Sequence, residues 1–247
     1  MYKRQVFHVL HNGGVENISR AQIEDAVAIL NRDFRLLNAD ANTVQSVFAG
    51  MPSDIEVEFQ LATKAPNGQC FSGITRTQNP VTNSGANGQS QVSAIIAGND
   101  VYNSTWPGNK YLNIFVVNDA DGAAGYTTNP NNGWTSTTMG NGIWVLHDYV
   151  GSIGTSDIYS SRTLTHEVGH WLNLDHLWGN NNNPGTPTSC TQDDAVDDTP
   201  RCIGVTSCNL NSNTCSNDAI DGYWTSDVID NVENYICLLY TSPSPRD

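Results

Sequence analysis

The sequence predicts an α/β domain built on a mostly parallel, twisted sheet with an antiparallel edge strand and two main helices. A small irregular subdomain that contains disulfides is expected to follow. Strand-like and helix-like segments alternate over the first 170 residues, which is the pattern of a parallel sheet covered by helices. Residues 111–117 are almost entirely apolar, as expected of a central strand buried on both faces. Beyond residue 176 the regular pattern stops, and cysteines become frequent.

Capping signals and periodicity place the first elements. Residues 4–11 predict the first strand, which ends at an Asn-Gly-Gly turn. Ser19 is expected to cap the first main helix, with Gln22 as its return partner in a capping box. An apolar stripe then continues as far as Leu37 and predicts the buried face of this helix.

The later elements are less regular. Strict alternation predicts a strand at residues 55–61, and short apolar segments predict an edge strand at 123–126 and a further strand at 143–147. Residues 63–92 are polar and contain several Pro and Gly, so they are expected to form loops, with a short ordered segment at 92–102. The second main helix begins near Arg162.

Charge and cysteine spacing limit the class of protein. Eleven Lys and Arg stand against 25 Asp and Glu, a formal charge of −14, so neither nucleic acid nor anionic membrane is an expected partner. No apolar run approaches the roughly 18 residues of a membrane span. The six cysteines include no C-x-x-C pair, which favours disulfides over a zinc ribbon. Disulfides indicate secretion to the extracellular space, although the sequence shows neither a signal peptide nor a pro-segment.

The segment 165–176, Thr-His-Glu-Val-Gly-His-Trp-Leu-Asn-Leu-Asp-His, carries the chemistry. His166 and His170 lie four residues apart and therefore share one helical face, where both rings can bind one ion. On a continuous helix His176 would lie about 9 Å further along the axis. The chain must therefore turn, and Asn173 is a residue that tolerates the left-handed conformation ending many helices. Three neutral imidazoles and an open position are typical of catalytic zinc, with Glu167 as the general base.

These residues resemble the elongated metzincin consensus H-E-x-x-H-x-x-G-x-x-H and, more narrowly, the pappalysin family of metallopeptidases. The resemblance extends from about residue 6 to residue 235, and its other matching segments are 6–9, 30–34, 110–114 and 194–200. It implies a metzincin-like α+β fold and one zinc ion bound by His166, His170 and His176. It also implies a zinc-dependent endopeptidase that hydrolyses proteins or peptides.

The same resemblance implies two features of the second half. Residues 193–200 are similar to a calcium-binding loop, with Asp194 and Thr199 as ligands, and clustered carboxylates and carbonyls suit Ca²⁺. A solvated acidic loop is the alternative. The resemblance favours a Cys190–Cys215 disulfide. It also implies that Cys208 pairs with a cysteine beyond the turn beneath the zinc; without that cysteine, Cys208 is unpaired or bonds Cys237.

The sequence departs from the family in three places. Asn173 replaces the consensus glycine, and Ile236 stands where the family has the methionine of the turn beneath the zinc. Leu238 replaces a tyrosine, and the family pattern is lost from Cys237 onward. We therefore expect a fragment without a pro-segment, in which residues 237–247 are a non-native tail.

We predict a metallopeptidase catalytic domain at residues 1–236, with an upper α/β subdomain at 1–176 and a lower irregular subdomain at 177–236. Glu167 is expected to take a proton from the attacking water and pass it to the leaving amine. The peptide would pair with the edge strand near 123–126 by β-addition. A non-catalytic extracellular binding domain that carries zinc and calcium, or an inactive fragment of the peptidase, is the alternative function.

Overall fold

The computed structural model describes residues 2–128, 137–179, 181–207 and 209–237. The chain divides into two compact units. Unit 1 comprises the chain up to Asn38 together with Asp54–Asn173, and unit 2 comprises Ala39–Ser53 and the chain from Leu174 onward. No helix among the described residues is long and apolar enough to span a membrane.

Unit 1 contains one six-stranded sheet. Its strands are β1 (Tyr2–His11), β2 (Glu58–Leu61), β3 (Ile74–Gln78), β4 (Leu112–Val117), β5 (Gly125–Thr127) and β6 (Ile143–Leu146). They lie in the order β2-β1-β4-β6-β5, and β3 also pairs with β1. Every pairing is parallel except that of β5 with β6, which is antiparallel. The mostly parallel sheet with an antiparallel edge strand is therefore confirmed.

Three α-helices accompany the sheet: α1 (Arg20–Phe34), α2 (Gly88–Gly98) and α3 (Thr163–Trp171). Side chains alternate across the sheet, as β1 shows. Phe7 and Val9 pack in a cluster with apolar residues of α1 and α3, whereas Val6 and Leu10 pack with those of α2. All six residues of β4 are buried, as expected of a central strand covered on both faces.

Strand β3 contradicts the predicted loops at 63–92, whereas helix α2 corresponds to the ordered segment predicted at 92–102 but begins earlier, at Gly88. Strand β3 pairs with β1 over five residues although its sequence, Ile-Thr-Arg-Thr-Gln, is mostly polar. Helix α2 begins and ends with glycine and has no acidic residue in its first turn, so its terminal signals are weak. Val92 and Ile95 are nevertheless buried. Tertiary packing stabilises both elements, and local sequence patterns do not predict such packing.

The start of α1 differs from the predicted capping box in one respect. Ser19 caps the helix by accepting a hydrogen bond from the Gln22 backbone N–H at 3.1 Å, as predicted. The buried Gln22 side chain does not return to Ser19; it donates to the carbonyls of His147 and Val150 in the segment after β6. The helix ends at Phe34, so Leu37 lies outside it and is exposed.

His8 of β1 is fully buried within the sheet and forms two hydrogen bonds. Asn113 Oδ1, 3.1 Å from His8 Nε2, can only accept, so Nε2 carries the proton. Nδ1 then accepts from the Thr75 hydroxyl at 2.8 Å. Burial lowers the pKa of His8 to about 4, and the hydrogen bond with Asn113 opposes this decrease. This histidine is a packed strand residue.

Unit 2 has little regular structure, as the sequence predicts. Cys190 and Cys215 form a disulfide, which confirms the favoured pairing, whereas Cys208 lies outside the described residues. Buried Asp230 accepts hydrogen bonds from the Ser212 hydroxyl and the Thr214 backbone N–H, and so ties two loops together.

A small apolar cluster completes unit 2. It contains Leu177, Trp178, Cys202, Ile236 and Cys237. Ile236, which replaces the family's methionine, is therefore a buried core residue. Of the predicted non-native tail, Cys237 belongs to this cluster, and residues 238–247 lie outside the described part of the chain.

Candidate active site

Helix α3 presents the first two predicted zinc ligands. His166 is buried and His170 is half-buried, one turn further along the helix. Their Nε2 atoms lie 3.0 Å apart, and their rings are nearly perpendicular. Both nitrogens therefore point toward the same place, as two ligands of one ion must.

The turn that the sequence predicts after α3 is present. The Asn173 backbone N–H donates to the carbonyl of His170 at 2.8 Å, and Asn173 has φ +76°, in the left-handed region. Asn is one of the few residues besides Gly that adopts this conformation readily. Asn173 thus fulfils the role of the consensus glycine and redirects the chain toward His176.

His176 joins the first two histidines. One ring nitrogen from each of His166, His170 and His176 lies within 4.8 Å of the others. Among the described residues this is the one group of three or more His, Cys, Asp or Glu side chains with such spacing. Tetrahedral zinc with N–Zn distances of about 2.0–2.1 Å places its ligand nitrogens roughly 3.4 Å apart. Three imidazoles grouped in this way could therefore hold one metal ion.

Stacking orients the His176 ring. It lies against Trp178 with the ring centroids 4.3 Å apart and an interplanar angle of 9°. Trp178 is fully buried and donates its indole N–H to the carbonyl of Asn181. A fixed indole behind the imidazole limits the rotation of His176, which favours metal binding because less side-chain entropy is lost.

Glu167 is buried beside the first histidine, with 5% of its surface exposed. Burial raises the pKa of its carboxyl to about 7, and the hydrogen bond from Thr127 opposes this increase. The Thr127 hydroxyl oxygen lies 2.7 Å from Glu167 Oε2 and 2.8 Å from the Glu167 carbonyl oxygen. A buried carboxyl whose pKa lies near neutrality is suited to accept and return a proton.

A second contact holds α3 at the residue before His166. The Thr165 hydroxyl donates to Oδ2 of Asp33 on α1 at 2.7 Å, and both residues are buried. The sequence did not identify Asp33, Thr165 or Thr127 as parts of the site. No local pattern could have done so, because Asp33 and Thr127 lie 132 and 40 residues away from their α3 partners.

The two predicted calcium ligands lie together. Asp194 is buried, and its carboxylate accepts hydrogen bonds from the Val196 backbone N–H and from the Thr199 hydroxyl at 2.8–2.9 Å. Burial raises the pKa of Asp194 to about 6, and these hydrogen bonds oppose the increase. Ala195, between Asp194 and Val196, has φ +62°, so the backbone turns sharply around the Asp194 carboxylate.

Comparison with known proteins gives consistent matches. The peptidase family model described as pregnancy-associated plasma protein-A (Peptidase_M43) matches residues 96–237. The "Extracellular metalloprotease" of Arthroderma otae is 29% identical over 218 residues, which are 87% of this chain and 64% of that protein. "Extracellular metalloprotease 1" of Coccidioides posadasii is 29% identical over 163 residues, 64% of this chain and 53% of that protein. The matches thus span less than two thirds of the length of these curated relatives.

Solved structures of mirolysin are similar across the whole fold. Mature mirolysin of Tannerella forsythia in complex with a cleaved peptide has a TM-score of 0.74 and 31% identity, covering 96% of this chain and 83% of that one. Mirolysin in complex with compound 9 gives a TM-score of 0.76 and 33% identity over the same shares of the two chains.

Proposed function

Because the chain belongs to the pappalysin family of metallopeptidases, we propose that it is a secreted zinc-dependent endopeptidase that hydrolyses peptide bonds of proteins or peptides. The observation that carries the proposal is the group formed by His166, His170 and His176, with the buried carboxyl of Glu167 on the same helix. The extracellular relatives support secretion. We also propose that residues 1–236 form the catalytic domain, with subdomains at 1–176 and 177–236; this division differs from the two compact units, which place residues 39–53 and 174–176 in unit 2.

His166, His170 and His176 would hold the zinc ion. Bound there, zinc supplies a Lewis acid that lowers the pKa of water and polarises the scissile carbonyl. Glu167 takes a proton from the attacking water and delivers it to the nitrogen of the leaving amine. Burial of Glu167 excludes bulk water from its carboxyl and raises the carboxyl pKa to about 7, near which one group can both accept and donate a proton.

The substrate peptide would bind in an extended conformation along β5. Among the described strands, β5 is last in the sheet and pairs on one side with β6. Its other edge can therefore hydrogen-bond an added strand, as in β-augmentation. The mirolysin complex with a cleaved peptide supports a peptide as the ligand class.

Substitution of the proposed base tests the mechanism. Zinc-loaded wild type is expected to cleave a generic fluorogenic peptide, and a chelator is expected to stop the reaction. Glu167→Ala should bind one zinc ion per chain but lose cleavage, whereas the matched control Glu24→Ala, at an exposed position on α1, should retain it. Chelator-sensitive cleavage by Glu167→Ala near the wild-type rate would exclude Glu167 as the base.

The same assay separates the alternatives. A non-catalytic binding domain would bind zinc stoichiometrically without cleaving the peptide. An inactive fragment would fail to bind zinc or to unfold cooperatively. Either outcome for the wild type would refute the proposed activity.

We further propose that residues 193–200 bind calcium through Asp194 and Thr199. A cation would offset the cost of burying the Asp194 carboxylate, and Ca²⁺ binds oxygen ligands, carboxylates above all. Calcium, but not an equal concentration of magnesium, should raise the unfolding temperature of the wild type, and Asp194→Asn should abolish the effect. An identical response of the wild type and the variant would refute this site.

A further inference from the structure

We propose that Thr127 and Gly125 of β5 are positioning residues for Glu167: the Thr127 hydroxyl holds one carboxylate oxygen, and Gly125 provides the space that the carboxylate occupies. The inference rests on the proposed role of Glu167 as general base. It assigns the geometry of the base to the edge strand.

The hydroxyl of Thr127 contacts Glu167 twice. Its oxygen lies 2.7 Å from the side-chain Oε2 and 2.8 Å from the backbone carbonyl oxygen of the same residue. A hydroxyl within reach of both atoms restricts the torsions between them, because rotation of the side chain would break the shorter contact. A hydrogen bond to a carboxylate is stronger than one between neutral groups, so Oε2 is the favoured acceptor.

Gly125 is required for space. A Cβ atom on Gly125 would lie 3.2 Å from Glu167 Cγ, 3.3 Å from Glu167 Oε1 and 3.0 Å from the Trp144 carbonyl oxygen. Gly125 is not among the glycines with positive φ, so its backbone would accept alanine. A side chain at residue 125 would therefore crowd the Glu167 side chain and also the Trp144 carbonyl of the paired strand β6.

The strand itself is held in place from its opposite face. Gly125 and Thr127 are two residues apart and share the face toward Glu167, whereas Tyr126 points the other way. The Tyr126 ring stacks on Trp144 with centroids 4.9 Å apart and an interplanar angle of 8°. The antiparallel pairing of β5 with β6 fixes the register of all three residues.

One strand thus has two functions. The edge of β5 is the proposed docking strand for the peptide, and its inward face sets the position of the base. A base placed about 1 Å from its productive position can cost up to about 100-fold in rate. Perturbing these contacts should therefore lower kcat rather than weaken peptide binding.

Kinetics of four variants, each loaded with zinc, test the inference. Thr127→Val keeps the side-chain shape but removes the hydroxyl; it should lower kcat about 10-fold and change KM less than about twofold. Thr127→Ser restores the hydroxyl and should recover kcat to within about threefold of the wild type. Gly125→Ala should lower kcat at least as far as Thr127→Val. The control Thr128→Val removes an exposed hydroxyl one residue further along and should leave kcat unchanged.

Readouts other than activity complete the test. Thr127→Val should retain one zinc ion per chain and the wild-type unfolding temperature, and its crystal structure should show the Glu167 carboxylate rotated from its wild-type position. A wild-type kcat for Thr127→Val, or failure of Thr127→Ser to recover activity, would overturn the proposal. So would loss of zinc or stability in Thr127→Val, because the role would then be structural. If the wild type itself cleaves no peptide, the proposed function fails, and the carboxylate position in the crystal structures still decides this inference.

Discussion

The buried histidine of β1 should make the stability of the protein depend on pH in a defined window. Burial lowers the pKa of His8 from 6.5 to about 4. Between these values the unfolded chain binds a proton at His8 and the folded chain does not, so acidification favours unfolding. The stabilisation is complete above pH 6.5, and it is lost as the pH falls toward about 4.

The size of the effect follows from the pKa difference. Each pH unit corresponds to about 1.4 kcal/mol, so the full loss is about 3 kcal/mol. Between pH 7 and pH 4.5 most of it is realised, roughly 2 kcal/mol of unfolding free energy. His8 is fully buried between Phe115 and Trp106, and its described hydrogen-bond partners, Thr75 and Asn113, carry no charge that would offset the loss.

Urea unfolding at several pH values measures this contribution. The wild type and His8→Gln are compared with a chelator present, so that protonation of the zinc ligands contributes nothing to the difference. His8→Gln should be less stable at pH 7, but its unfolding free energy should fall by roughly 2 kcal/mol less than that of the wild type between pH 7 and 4.5. His11→Gln is the matched control, because Glu16 partly offsets the effect of burial on the pKa of His11. Parallel pH profiles for the wild type and His8→Gln would refute the reasoning.

Two further predictions concern stability. Thr165→Val removes the hydroxyl that donates to buried Asp33, so the free energy of urea unfolding should fall by about 2 kcal/mol. The control Thr43→Val, at an exposed site, should change the free energy of unfolding by less than about 0.5 kcal/mol. Equal effects of the two substitutions would argue against the α1–α3 contact. The Cys190–Cys215 disulfide closes a loop with a sequence separation of 25, so replacing both cysteines by serine should cost about 3.5 kcal/mol on the chain-entropy model. Peptide mapping without reduction should recover the two cysteines in one linked peptide, and any other linkage would contradict the assignment.

Short-range patterns were sufficient to place two of the proposed zinc ligands and the proposed base on one helix. His166 and His170 lie about one helical turn apart, with Glu167 next to His166, and that relation depends only on helix geometry. The turn at Asn173 was also predictable, because a third ligand six residues beyond His170 requires the helix to end. The parallel sheet followed from alternation of strands and helices and from the apolar central strand β4.

The predictions failed where an element has weak local signals and strong distant partners. Strand β3 is mostly polar and owes its place to pairing with β1, nearly 70 residues earlier in the chain. Gln22 has the spacing of a capping-box partner, yet its side chain donates to carbonyls more than 120 residues away. Buried polar groups take the partner that tertiary packing supplies.

The proposed site residues were predictable from the sequence, whereas the residues that hold them in place were not. The sequence by itself identified the proposed zinc ligands, the proposed base and the α/β layering, because these follow from the periodicity of helices and strands and from local turn chemistry. The tertiary structure decided what surrounds them: Thr127 and Gly125 beside Glu167, Asp33 beside Thr165, and Trp178 behind the ring of His176. Most of these contacts join segments tens of residues apart, and they form only when the folded core brings those segments together.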